Sequence, residues 1–289
     1  MQIKGENLKR LQTIELEMLT EIDRICRKNH IEYTLDGGTL LGAVRHNGFI
    51  PWDDDADVAM TRTEYVKFHE ACKEDLDKER FFLQDHENDP EYRWGYAKLR
   101  RNGTLIIPEG QEDTKWNNGI FLDIFIYDHV PDFPISRIWF TFQCFLIRKG
   151  MYSPIGLKHS SGFLKCIYYV LSRFSIDHWF RRIDRLVGKT NQKNTELARH
   201  VTYPYSRRSC RYGIPRVCYD SFCDHIFEGH NFRIMQRYDM YLTALYGNYM
   251  EIPPVEKRQY YPVERIDFGD VCPVQEMQQK AYSEKTNMD

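Results

Sequence analysis

Residues Pro51-Trp52-Asp53-Asp54-Asp55-Ala56-Asp57-Val58 place four aspartates within five positions and then run straight into an apolar segment. In an extended chain alternate residues face one side. Asp55 and Asp57 therefore point together, while Ala56 and Val58 point into a core; Asp53 joins the acidic face if the strand begins early. Carboxylates at this spacing repel one another unless a cation lies among them. Hard oxygen donors of this kind suit Mg²⁺ or Mn²⁺, and Mg²⁺ usually shares its shell with substrate phosphates. The plainer readings are a solvated acidic turn or a calcium loop. A calcium loop wants spaced acids, a central glycine and a late glutamate, which this segment lacks. A solvated turn rarely follows Pro-Trp and enters an apolar strand.

The segment upstream supports the metal reading. Ile31 to Leu35 alternates as a strand and stops at Asp36-Gly37-Gly38, and Thr39 to Val44 reads as a short helix. Such a turn exposes backbone N–H groups, and the helix N-terminus adds a favourable dipole, so phosphate is its natural ligand. A Gly-Gly turn alone is more often only a tight turn. The weight lies in the conjunction of strand, Gly37-Gly38-Thr39, helix and a strand carrying Asp-x-Asp. A third carboxylate would complete a metal site, and Asp123, inside the apolar run Ile120 to Ile126, is the best candidate. A lone aspartate there is costly without a partner; a cap or a salt bridge is its plainer role.

Helical spacing of Leu8, Leu11, Ile14, Met18, Leu19, Ile22, Ile25 and Cys26 predicts one long amphipathic helix ending near Asn29. Glu64 to Lys78 reads as a helix, and Phe81–Leu83, Tyr96–Leu99 and Gly119–Ile126 as strands, the last central because it is almost wholly apolar. After Pro131 the texture changes. Ile135–Lys149, Gly162–Phe174 and Asp177–Gly188 read as helices, Phe222–Asn231 as a strand pair or turn, and Arg233–Tyr246 as a helix stopped by Gly247. The tail from Glu276 is polar and expected to fray. The expected organisation is a catalytic core over 1–133, a basic aromatic helical segment over 134–216, and a C-terminal segment over 217–289 that completes the site.

The formal net charge of the 289 residues is only −2, but it conceals a division. Pro134 to Arg216 carries 16 Lys and Arg against three acidic residues, a net +13, and the remainder of the chain is at −15. The segment reads either as solvated helix faces or as a basic surface for an anionic partner such as a membrane leaflet or a phosphorylated glycan. Nucleic acid is not expected. The N-terminus lacks the apolar stretch of a secretory signal, and no run reaches the length of a membrane span, so a cytoplasmic protein is expected, peripheral at the inner face of the membrane if the basic surface binds lipid. Eight scattered cysteines read as reduced thiols. Cys218, Cys223 and His225, with Cys210, are a weak metal alternative whose spacing fits no common zinc pattern.

Six blocks resemble one family. Leu35-Asp36-Gly37-Gly38-Thr39-Leu40-Leu41-Gly42-Ala43-Val44-Arg45-His46, Phe49 to Asp57, and Asp123-Ile124-Phe125 are similar to the LicD phosphotransferases. So are Tyr238-Asp239-x-Tyr241-Leu242, Tyr246 to Met250, and Pro253-Pro254-x-Glu256-Lys257-Arg258 nearer the C-terminus. Ala56 stands where a larger aliphatic residue is usual and Ile126 where proline is common; neither departure removes a ligand. The resemblance is weakest from Pro134 to Asp220. It implies an α/β nucleotidyltransferase-like fold, a mixed sheet with flanking helices, to which the basic helices would be an insert or subdomain. It implies transfer of a phospho-alcohol, most often phosphocholine, from a CDP-linked donor to a sugar hydroxyl of a cell-surface glycan or teichoic acid, free or lipid-linked. The related fukutin group uses CDP-ribitol. By match, Asp55 and Asp57 are the metal-binding pair, with Asp53 at the edge and Asp123 as third carboxylate.

On this reading Asp55, Asp57 and Asp123 are catalytic, and Asp123 either completes coordination or accepts the acceptor's proton. Gly37, Gly38 and Thr39 hold phosphate oxygens. Arg45, His46, Lys98, Lys257 and Arg258 are further phosphate candidates, each of which could instead be an ordinary surface or capping residue. Trp52 could stack on the base or on choline, or simply pack beneath the aspartates. A nucleotidyltransferase that attaches the nucleotide itself, and a non-catalytic nucleotide- or glycan-binding module, remain as alternatives.

Overall fold

The long first helix is explained by one buried face. Helix α1 (Gly5–Lys28) buries Leu8, Leu11, Ile14, Met18, Leu19, Ile22 and Ile25 at spacings of three and four, and ends at Asn29, whose side-chain amide donates to the Ile25 carbonyl. The structure is a computed structural model that describes residues 1–205, 207–258 and 260–270. The tail from Glu276 lies outside them. Next come β1 (Thr34–Leu35), α2 (Gly37–His46), β2 (Asp57–Thr61), α3 (Arg62–Asp75), β3 (Phe81–Gln84), β4 (Ala97–Arg101) and β5 (Leu105–Pro108). Strand β6 (Phe121–Val130) is the spine of the main sheet. Its first half lies between β2, parallel, and β4, antiparallel; its second half also pairs with β7 (Leu197–His200), antiparallel. The mixed sheet runs β1-β2-β6-β4-β3, with β7 and β8 (Ile214–Pro215) branching from the end of β6. With α1 and α3 packed on it, this is a mixed α/β fold of the kind a nucleotidyltransferase-like domain requires.

Helices α4 (Pro134–His159), α5 (Gly162–Leu171) and α6 (Ile176–Gly188) pack around a core of their own, built on Phe140, Cys144, Ile147, Met151, Trp179 and Ile183. It joins the sheet through Val130 and Val201. Helix α4 runs ten residues past the expected end at Lys149, through Pro154. A proline there removes the amide that would bond the Gly150 carbonyl. The Ser153 hydroxyl donates to that carbonyl at 2.6 Å instead, so the helix continues.

The expected helix from Arg233 starts later, as α7 (Tyr238–Tyr246). Arg233 belongs to β10 (His230–Met235), paired with β9 (Phe222–Phe227). Glu228 and Gly229 close this hairpin with positive φ angles of 49° and 77°, as a tight two-residue turn requires. A separate two-stranded sheet joins β5 to β11 (Val263–Asp267) and draws the C-terminal segment back across the front half of the chain.

Candidate active site

The acidic row is built by register. Asp57 opens β2 and lies directly opposite Asp123 on β6, which lies opposite Lys98 on β4. Paired residues on adjacent strands face the same side, so Asp57, Asp123 and Lys98 form one line across the sheet. The Asp123 amide donates to the Ala56 carbonyl at 3.0 Å, which extends the pairing one step beyond β2. Ala56 and Val58 are buried, as the alternation predicted. The regular strand starts only at Asp57, so Asp53, Asp54 and Asp55 lie on the irregular approach. Carboxylate oxygens of these three come within 4.8 Å of one another. Asp54, which alternation assigned to the far side, therefore belongs to the cluster, and its Oδ2 accepts from the Tyr261 amide at 3.3 Å.

The electrostatics are those of crowded anions. Burial first, and then neighbouring carboxylates, push Asp55 and Asp57 well above the usual carboxylate range and Asp53 up to about 7. Burial alone carries Asp54 up to about 6. Glu15 of α1 adds a further acid. It is fully buried, its charged form is disfavoured first by burial and then by Asp55, and its Oε2 has no hydrogen-bond partner among the described residues. Its signal was present in the sequence: an acid inside the apolar face of α1, midway between Leu11 and Leu19. Against this charge the site offers few cations. Lys98 forms a buried ion pair with Asp123, and its own pKa is lowered to about 8 by burial. Arg45 opposes the charge of Asp53. A crowd of hard oxygen donors held at raised pKa is the donor set a divalent cation suits.

The glycine turn lies over this row. Gly37 and Gly38 form the first turn of α2, and Gly37 has φ of +50°. A β-carbon at Gly38 would stand 2.7 Å from Asp53 Oδ2, and one at Gly37 3.0 Å from Asp57 Oδ2, so only glycine lets the turn and the carboxylates approach this closely. Thr39 is buried, and its hydroxyl accepts from the Asp57 amide at 2.8 Å; it positions the acid strand. Beneath the turn, Asp36 receives hydrogen bonds from Tyr241 of α7 and, at 3.3 Å, from Tyr127 of β6. Burial raises the Asp36 pKa to about 6 against those bonds. Neither Asp36 nor Tyr241 was expected at the site, because their connection spans 205 residues.

Arg45, His46, Trp52 and Arg258 meet at one edge. Arg45 donates to His46 Nε2 at 3.0 Å and to the Tyr249 carbonyl at 2.9 Å, and Arg258 lies 3.8 Å from the Trp52 ring centroid. Trp52 thus has one face taken by a guanidinium. Lys257 stands on the exposed turn Val255–Lys257 with no side-chain partner among the described residues. Tyr96, Phe125 and Tyr203 form an aromatic group: Phe125, two residues beyond Asp123 on β6, lies 5.0 Å from Tyr96 and 6.1 Å from Tyr203 between ring centroids. The cysteine alternative does not assemble. Cys210 and Cys218 are core residues, Cys223 is exposed, and His225 Nε2 lies 3.1 Å from the Ala43 carbonyl.

Comparison with known proteins gives the family of the chain. The family model described as LicD/FKTN/FKRP, nucleotidyltransferase domain, matches residues 30–155, which span the turn, the acidic run and Asp123. A lipopolysaccharide cholinephosphotransferase LicD of Haemophilus influenzae is 30% identical over 267 residues, covering 91% of this chain and 98% of that protein. The chain belongs to the LicD family. An uncharacterized protein of Rickettsia typhi is 34% identical over 70 residues, 24% of this chain and 23% of its own length. One of Rickettsia prowazekii is 40% identical over 50 residues, 17% of this chain and 19% of its own. At 91% coverage the Haemophilus match is too long to leave out α4–α6, so it extends beyond the nucleotidyltransferase domain.

Proposed function

We propose that this LicD-family protein is a phosphotransferase that moves phosphocholine from CDP-choline to a sugar hydroxyl of a cell-surface glycan. The observation that carries this reading is the acidic row laid under a glycine turn, in a chain that aligns over nearly its whole length with a cholinephosphotransferase. The acceptor oxygen attacks the phosphorus bearing choline, the bond from that phosphorus to the bridging oxygen breaks, and CMP leaves. Positioning and charge neutralisation supply most of the catalysis in such a transfer. Asp53, Asp55 and Asp57, with Asp123, are the residues that would hold Mg²⁺ or Mn²⁺, which when bound supplies positive charge to the diphosphate. The Gly37 N–H is taken by the Tyr241 hydroxyl at 3.4 Å, so the Gly38 N–H is the one that would meet a phosphate oxygen, with Arg45 and Arg258 as the nearby cations. Asp123 accepts the acceptor's proton, and its ion pair with Lys98 fixes its orientation.

Tyr96, Phe125 and Tyr203 support choline as the headgroup, since a quaternary ammonium is attracted to aromatic faces and a polyol is not. A lipid-linked glycan acceptor would bring the protein to the inner face of the membrane as a peripheral protein. The test is a donor panel: purified protein with Mg²⁺, acceptor and CDP-choline, CDP-ethanolamine, CDP-glycerol or CDP-ribitol, read as CMP release. CDP-choline should lead, and Tyr203→Ala should raise KM for CDP-choline without a matching change for CDP-ribitol. A panel led by ribitol or glycerol rejects the headgroup assignment, and release without any dependence on Mg²⁺ or Mn²⁺ rejects the metal site.

A further inference from the structure

Helices α4 and α5 each carry an apolar face turned to solvent. On α4, Ile135, Ile138, Trp139, Phe142 and Phe145 recur three or four residues apart and are 71, 57, 59, 49 and 48% exposed, while Phe140, Cys144 and Ile147 on the other side are buried in the helical core. On α5, Phe163, Ile167 and Val170 repeat the spacing at 81, 39 and 59%. Scattered exposed apolar residues need no explanation, but ordered stripes on two consecutive helices do.

The charge beside these stripes has one sign. From Pro134 to Ile176 the chain has six Lys and Arg and no Asp or Glu. Arg137 and Lys158 pair with acids elsewhere, whereas Arg148, Lys149, Lys165 and Arg173 have no acidic partner among the described residues. Arg148 and Lys149 each lie 5.8 Å from the Phe145 ring centroid, and Lys149 also donates to Tyr168 of α5 at 3.0 Å, so cations stand where the two helices meet. Among the described residues no helix is long and apolar enough to cross a membrane.

We infer that α4 and α5 are a membrane-docking surface that lies in the headgroup region of an anionic leaflet, with Trp139, Phe142 and Phe163 entering the acyl boundary and the lysines and arginines meeting lipid phosphates. A second copy of the chain is a poorer occupant, because joining this face to itself would oppose cations with no acid to answer them. The surface stands independently of which CDP-alcohol is the donor, and its test needs no turnover.

The experiment is flotation of the full chain with vesicles of phosphatidylcholine alone and with vesicles containing about one-third phosphatidylglycerol. The protein should float with the anionic vesicles only, and lose that association in high salt. Trp139→Glu with Phe142→Glu, and separately Lys165→Glu with Arg173→Glu, should each reduce binding roughly tenfold or more while melting temperature and CMP release from soluble substrates stay unchanged. Absence of binding to anionic vesicles, equal binding to both kinds, or binding untouched by either variant overturns the inference. So does a wild-type dimer that the Trp139→Glu, Phe142→Glu variant turns into a monomer with no lipid binding in either form.

Discussion

Each aspartate of the acidic run is held where its own charge is unwelcome. Asp55 and Asp57 are kept above the ordinary carboxylate range by burial and by each other. Stability and activity are therefore opposed at these positions. Asp55→Asn and Asp57→Asn should each lower transfer by about a thousandfold or more, the loss expected when a charge-neutralising centre is dismantled. In metal-free protein at pH 8 the same variants should melt higher than wild type. A lower melting temperature with retained activity would assign these residues to structure. Asp36 behaves differently, because two tyrosine hydroxyls answer its buried oxygens. Tyr241→Phe removes one donor and should cost about 1–3 kcal/mol in denaturant unfolding. The acids at 53–57 were legible because their spacing is local. Asp36 and Tyr241 were not, because only the folded chain brings α7 under the glycine turn.

Elements were legible where one periodic face was enough to specify them. Helix α1 has a single buried stripe, and β6 is apolar because it is covered by neighbours along its length. The pairing of β5 with β11 and the return of β7 to β6 carried no comparable mark, since short strands are specified by partners far along the chain. Helix α4 shows the opposite failure: it was expected to end at Lys149 but continues through Pro154, where a neighbouring hydroxyl takes the carbonyl that proline leaves unbonded. Ser153→Ala should leave the Gly150 carbonyl unpartnered inside the helical core and destabilise the protein by about 1 kcal/mol or more, measured by denaturant unfolding. An unchanged midpoint would mean that α4 tolerates Pro154 without the serine. The two faces of α4 also explain why its aromatic content was ambiguous in sequence: one set builds the core of α4–α6, and the other faces solvent.

At the scale of the molecule, the near-neutral total resolves into a basic helical layer and a carboxylate-rich sheet rim. That rim sets the pH dependence. Asp36 and Asp54 are raised to about 6 and Asp53 to about 7, so between pH 4 and 7 the folded state holds protons that the unfolded chain has released. Stability contributed by such groups is present at low pH and lost as pH rises through the folded pKa values. Metal-free protein should therefore melt lower at pH 8 than at pH 5.5, and Mg²⁺ or Mn²⁺ should raise the melting temperature more at pH 8. A cation effect that is equal at the two pH values would place the ion away from these carboxylates. The most direct test of the account is product analysis with CDP-choline labelled separately in the choline methyl groups and in cytidine, with a glycan acceptor and Mg²⁺. The account predicts that the choline label enters the acceptor with a mass gain of one phosphocholine while the cytidine label leaves as CMP, and that Asp57→Asn abolishes both. Cytidine label on the acceptor, or transfer that persists in Asp57→Asn, would contradict it.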